Sequence, residues 1–116
     1  MPLTLYGIPN CDTVKKARSW LDAHRIAYTF HDYKKAGVPT ANLDRWCLEA
    51  GWEKVLNRAG TTFKKLPPGV KDKLDEGAAK RLMQVQPSII KRPIVEHPRG
   101  LLVGFSPDEW AAALSK

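Results

Sequence analysis

The side chain best placed to do chemistry is Cys11, inside the stretch Thr4 to Leu21, TLYGIPNCDTVKKARSWL. An apolar, β-prone run through Leu3, Leu5 and Tyr6 stops at Gly7, and Pro9 and Asn10 are turn residues that shape a tight loop. A helical pattern then opens at Asp12–Thr13, with Val14, Ala17 and Leu21 on one face. Strand, loop, cysteine, helix is an order that puts a sulfur where the first free N–H groups of a helix point. Those groups and the positive end of the helix dipole favour an anion, so Cys11 is expected to ionise more readily than an ordinary cysteine. Lys15 and Lys16 in the next turn act in the same direction, whereas Asp12 opposes it unless its carboxylate turns away to cap the helix. The alternative is a small buried residue, the state of most free cysteines. A position in a loop ahead of a helix, outside any apolar run, favours the reactive thiol.

The partner of that thiol has to come from elsewhere. Three positions after Cys11 stands Val14, which excludes a local Cys-x-x-Cys disulfide. The second thiol is then external, such as glutathione, or it is Cys47, which falls four positions after Leu43 on the apolar face of a helical pattern and reads as core. The expected reaction is a mixed disulfide between Cys11 and glutathione or a protein thiol substrate, released by a second thiol, with no bound cofactor. A low-molecular-weight phosphatase also carries a cysteine between strand and helix, but it needs an arginine six positions later; here that position is Ala17, and Arg18 comes one too late. His24, His31 and His97 are dispersed and show no metal-ligand spacing, so no metal site is expected.

The elements that must position Cys11 follow from the pattern along the chain. The first helix is expected to end near His24–Arg25, and Ile26 to Phe30 alternates as a strand, giving β–α–β with parallel strands. His31 to Lys35 then leads to a break at Gly37–Val38–Pro39. From about 40 to 86 the pattern turns helical. Thr40 is a candidate N-cap for a segment with Leu43, Trp46, Cys47 and Ala50, stopped by Gly51. Short pieces around Trp52–Leu56 and Thr61–Leu66 end at Pro67–Pro68–Gly69, and Leu74, Ala78, Leu82 and Val85 recur at helical spacing. No strand is expected there, so this region reads as a helical insert within a single domain covering residues 1–116. Pro93 to Glu96 and Leu101 to Val103 then flank His97–Pro98–Arg99–Gly100 as an antiparallel hairpin with a four-residue loop. Ser106–Pro107–Asp108–Glu109 starts a last helix with Ser106 as N-cap, Pro107 at the first position and Glu109 closing a capping box, and Trp110, Ala113 and Leu114 pack inward.

Composition bounds the function. A chain of 116 residues, 43% hydrophobic and 27% charged, has the size and balance of one soluble globular domain. No apolar run nears the roughly 20 residues that span a bilayer, which argues against a membrane partner. The start, MPLTLYGIPN, lacks the basic head and apolar core of a secretory signal, so a cytoplasmic location is expected. Two cysteines without an export signal point to thiol chemistry or burial, not to a disulfide framework. The formal charge of +7 is spread in pairs, Lys15–Lys16, Lys34–Lys35, Lys64–Lys65, Lys71 with Lys73, and Lys91–Arg92. There is neither a basic stripe nor an aromatic RNA motif, so nucleic acid is not the expected partner, and attraction of an anionic small molecule is.

Three stretches, YGIPNCDTVKKAR, LNRAGTTFKKL and IIKRPIVEHPRG, together resemble the arsenate reductase and Spx family, the ArsC-like proteins, over essentially the whole chain. The subgroup that matches best is the YffB type, regarded as glutathione-dependent thiol reductases. The resemblance implies an α/β, thioredoxin-like four-stranded mixed sheet with an inserted helical region. It implies that Cys11 is the active cysteine, that Arg58 and Arg92 bind the anion, and that Pro93 is the proline, typically cis, that packs beside the sulfur. An arginine suits such a site because its planar fork grips a carboxylate or oxyanion with two hydrogen bonds. The third arginine of true arsenate reductases would fall near Gly104 and is absent, which argues against arsenate as the physiological substrate. The rival implication is an Spx-like regulator that binds RNA polymerase without catalysis. Members of that branch typically carry the Cys-x-x-Cys switch that Val14 removes here.

Overall fold

In the computed structural model, which describes residues 3–114, four strands form one mixed sheet in the order β2-β1-β3-β4. They are β1 (Thr4–Gly7), β2 (Thr29–Asp32), β3 (Ile94–His97) and β4 (Gly100–Val103). β1 runs parallel to β2, with Thr4 opposite Thr29 and Gly7 opposite Asp32. It runs antiparallel to β3, with Tyr6 opposite Ile94, and β3 in turn is antiparallel to β4. The helices in chain order are α1 (Asp12–Ala23), α2 (Tyr33–Ala36), α3 (Thr40–Ala50), α4 (Trp52–Val55), α5 (Thr61–Lys64), α6 (Pro68–Asp72), α7 (Glu76–Val85) and α8 (Pro107–Leu114). This is the thioredoxin-like mixed sheet with a helical stretch between β2 and β3. By internal contacts the chain divides into two compact units, one made of Met1–Ala36 with Arg92–Lys116, the other of Gly37–Lys91.

The sheet unit is held by one apolar cluster. Leu3, Leu5, Val14, Ala17, Leu21, Val95 and Trp110 are buried together, and Trp20, Ile26, Tyr28, Phe30, Leu102, Phe105 and Leu114 pack around them. Val14, Ala17 and Leu21 are fully buried, so the expected apolar face of α1 is the one that meets the sheet. Burying Val14 and Leu21 stabilises the unit by about 1.5–3 kcal/mol each, and the single methyl of Ala17 by less. Trp110 meets Trp20 and Phe105 edge-on, with ring centroids 5.7 and 4.8 Å away, and its Nε1–H donates to the Gly104 carbonyl at 3.1 Å. Burying an indole therefore leaves no orphaned donor. α8 starts where its sequence predicts: Pro107 is the first helical residue, and the Glu109 amide lies 3.5 Å from the Ser106 hydroxyl, the Ser106 half of the expected capping box.

Three expectations for this unit need correction. The second strand begins at Thr29, not Ile26, because Ile26 is used to stop α1. Arg25 takes a left-handed φ of 57°, its N–H donates to Asp22, and the Ile26 N–H reaches back to Leu21 at 2.9 Å. This pair of bonds is the helix-ending motif usually built on glycine, and Ile26 packs against the apolar cluster that includes Leu21. Tyr33–Ala36 is a short helix where only a link was expected. The Asp32 carboxylate starts it by accepting from the Lys34 and Lys35 amides at 3.1 and 3.2 Å. The hairpin loop is two residues long, since His97 and Gly100 already pair.

The helical unit packs Leu43, Trp46 and Cys47 of α3, Val55 of α4, Phe63 of α5 and Ala79 and Met83 of α7 as buried side chains. Lys80 ties α7 to α3, with Nζ 3.2 Å from Asp44 and 3.0 Å from Glu76. Gly51 ends α3 with φ 90°, and Pro39, not Thr40, is the capping residue. Pro68 opens α6 at its first position, so the proline pair that reads as a stop is also a start. Of the apolar residues at helical spacing, Ala78 and Leu82 are half-buried and Val85 is 78% exposed, whereas Ala79 and Met83 are fully buried. Leu56 and Ile90 form an isolated antiparallel bridge where no strand pairing was expected, flanked by Asn57 N–H to Ile89 and Lys91 N–H to Val55.

Candidate functional site

The loop that presents Cys11 is set by a close approach between β1 and α1. A Cβ added to Gly7 would lie 2.9 Å from Val14 Cγ2 and 3.3 Å from Cγ1. Only a residue without a side chain lets the strand end this near the first turn of the helix. Ile8, Pro9 and Asn10 turn the chain, and Cys11 follows as the N-cap residue of α1 with extended backbone, φ −132° and ψ 125°. Its side chain is partly exposed and partly packed against the sheet-unit core.

The electrostatics around the sulfur oppose one another. Burial pushes the Cys11 thiol up, but the Val14 amide, the hydrogen-bonding Arg92 guanidinium, its positive charge and the Thr13 amide together hold it below its ordinary value. The side chain closes no capping hydrogen bond of normal geometry. The two amides therefore act on it mainly through their partial charges, an effect that grows when the sulfur carries a full negative charge. The helix amides thus act in the expected direction, and an arginine adds to them.

Sheet register explains how Arg92 arrives. β3 runs antiparallel to β1 with Tyr6 opposite Ile94, so the residues just before Ile94 lie toward the Gly7 end of β1, where the Cys11 loop begins. The Arg92–Pro93 peptide is cis, Pro93 is buried, and its carbonyl accepts from the Gly104 N–H at 2.8 Å. Asn10 is exposed in the loop and lines a cleft of about 340 Å³ together with Ile8, Pro9, Asp32, Lys34 and Lys35.

Cys11, Asn10, Arg92 and Pro93 all belong to the sheet unit, and Cys11 and Arg92 interact directly. Arg58 belongs to the helical unit. There it is exposed, 3.8 Å from Glu53, with its guanidinium carbon 5.8 and 5.9 Å from the Trp52 and Phe63 ring centres. Cys47 is buried within α3 and its thiol is pushed up by that burial, the setting of an inert thiol. Sequence reasoning missed Tyr33. It is fully buried, its hydroxyl is hydrogen-bonded to Arg92, and it feels the charge of Cys11. The signal was an aromatic residue directly after a strand, inside an otherwise polar run. Among the described residues no three metal-capable side chains gather, and no helix is long and apolar enough to cross a membrane.

Comparison with known proteins gives these groups a setting. The model of the ArsC family matches residues 6–113. A solved structure named YFFB (PA3664) protein is 58% identical, covers 97% of this chain and 99% of its own, and superposes with a TM-score of 0.93. The solution structure of an arsenate reductase (ArsC) related protein from Brucella melitensis is 52% identical, covering 100% of this chain and 97% of its own at a TM-score of 0.79. The global transcriptional regulator Spx of Streptococcus agalactiae is 30% identical over 98% of this chain and 84% of its own.

Proposed function

The chain belongs to the ArsC family, and from that premise we propose that it is a cytoplasmic, glutathione-dependent thiol reductase with Cys11 as its nucleophile. The observation that carries the reading is the Cys11 thiol, lowered by Arg92 and by helix amides and open to solvent on one side. Family membership supports the oxidoreductase class. The finer assignment rests on the site.

In the proposed reaction the Cys11 thiolate attacks the glutathione sulfur of a protein–glutathione mixed disulfide. The old S–S bond breaks as the new one forms, and the protein sulfur leaves as a thiolate that takes a proton from water. A second glutathione thiolate then attacks the Cys11–glutathione disulfide, which releases oxidised glutathione and restores the Cys11 thiolate. Overall one disulfide is reduced and two glutathione sulfurs are joined, so electrons balance. A lowered pKa serves both halves: it raises the thiolate fraction at neutral pH and makes Cys11 the better leaving group. Glutathione is an anion, and the cleft beside Asn10 is lined by two lysines, Lys34 and Lys35, against one carboxylate, Asp32. Arg92 would hold the charge near the sulfur. Arsenate is not the favoured substrate, since Gly104 stands where a third arginine would be needed.

The test is glutathione-driven reduction of a glutathionylated peptide, followed through oxidised glutathione formation. Cys11→Ser should abolish turnover with the fold intact; retained turnover sinks the assignment. The Spx relative favours a second reading, a transcription regulator that binds RNA polymerase. Capture of purified polymerase by a chain without reductase activity would support it.

A further inference from the structure

Two strands deliver side chains to the Cys11 loop from opposite sides of β1. β3 brings Arg92 on one flank. On the other flank β2 runs parallel to β1 with Asp32 opposite Gly7, so the next residue, Tyr33, emerges beside the same loop. Its ring is fully buried, and its hydroxyl meets the guanidinium that acts on the sulfur. We infer that Tyr33 is a positioning residue: its hydroxyl accepts a hydrogen bond from Arg92 and fixes the guanidinium so that another N–H faces the Cys11 sulfur. This deepens the reading of Cys11 as the reactive thiolate and rests on it.

The chemistry explains why a phenol suits the position. An arginine has five N–H donors on one plane, so a single guanidinium can serve two acceptors at once. A carboxylate in place of Tyr33 would neutralise the arginine and withdraw its charge from the sulfur. A phenol holds the same geometry without a competing charge. Burial raises the Tyr33 hydroxyl well above its ordinary value of 10.0, against the pull of the Arg92 charge and with the Cys11 and Asp32 charges adding to the rise. It therefore stays neutral wherever the thiolate forms. Holding a long side chain in one conformation also removes an entropy cost that Arg92 would otherwise incur on meeting the thiolate.

The test measures the rate of iodoacetamide alkylation of Cys11 against pH in a Cys47→Ser background, with the fold followed by circular dichroism. Y33F keeps the ring and deletes the hydroxyl. It should move the alkylation profile to higher pH and slow reaction at mildly acidic pH by about threefold to tenfold, the scale of one hydrogen bond. In an Arg92→Ala background Y33F should slow it no further, because the hydroxyl acts only through the guanidinium. Arg92→Lys, which leaves the Tyr33 packing untouched, gives a second route. A lysine keeps the charge but cannot serve both acceptors from one plane, so the same slowing is expected, and no more when Y33F is added. An unchanged profile for Y33F, or equal slowing with and without Arg92, overturns the role of Tyr33 while leaving Cys11 reactive. A parent Cys11 that reacts no faster than a free cysteine peptide overturns the thiolate reading itself, and this role with it.

Discussion

Gly7→Ala should destabilise the sheet unit through one identifiable contact. The added Cβ would sit 2.9 Å from Val14 Cγ2, against the 3.5–4.0 Å at which carbon atoms rest. Val14 is fully buried, and a second methyl lies 3.3 Å away, so a rotamer change exchanges one clash for another. The first turn of α1 has to withdraw by about 0.6 Å or more, and overpacking on this scale costs about 2 kcal/mol. For a chain of this length that is a fall of roughly 8 °C in Tm. Gly7 has no positive φ, so without the clash alanine would be tolerated, even slightly favourable through the unfolded chain. Urea unfolding followed by tryptophan fluorescence on Gly7→Ala, Val14→Ala and the double variant separates the effects. The double variant should be no less stable than Val14→Ala alone, because truncating Val14 removes the methyls that clash. A Gly7→Ala protein that unfolds with the parent, or a cost that persists undiminished when Val14 is alanine, refutes the packing account.

Other outcomes follow from the same geometry. Limiting alkylation near neutral pH, read by peptide mass spectrometry, should label Cys11 well before Cys47, whose thiol is held up by burial. Arg92→Ala should cut Cys11 alkylation at mildly acidic pH by about tenfold, the low end for a charge-assisted hydrogen bond at a partly exposed site. The stability difference between parent and Cys11→Ser should depend on pH with a definite sign. A depressed folded-state pKa contributes stability that is complete above the unfolded cysteine's value and is lost as pH falls through the lowered one, so the parent's advantage grows with pH across that window. Trp110→Ala should cost about 3–5 kcal/mol in urea unfolding, since it removes a buried indole from the cluster and the bond to Gly104.

The parts of this structure legible in the sequence are those where periodicity and local chemistry agree. Val14, Ala17 and Leu21 define a face that is buried as written, and Ser106–Pro107 starts a helix where capping chemistry says it should. The place of Cys11 at the start of α1 was readable for the same reason, because strand, turn residues and helix pattern follow one another within a few positions. The failures have a different origin. Ile26 looks like a strand residue and is instead the apolar plug of a helix end, which only the left-handed Arg25 reveals. Leu74, Ala78, Leu82 and Val85 share a stripe, but packing of Ala79 and Met83 decided which face of α7 is buried. Tyr33 was illegible because its importance arises from register: β2 has to align with β1 before residue 33 is seen to fall beside a cysteine twenty-odd positions away.

The most direct test of the central claim is the thiolate fraction of Cys11 against pH, by ultraviolet absorbance in the Cys47→Ser protein, repeated after incubation with oxidised glutathione. A titration midpoint clearly below the ordinary cysteine value of about 8.5, with a single glutathione adduct on Cys11, is the predicted result. An ordinary or raised midpoint with no adduct would contradict it, and would leave a chain that keeps the ArsC-family fold without thiol chemistry.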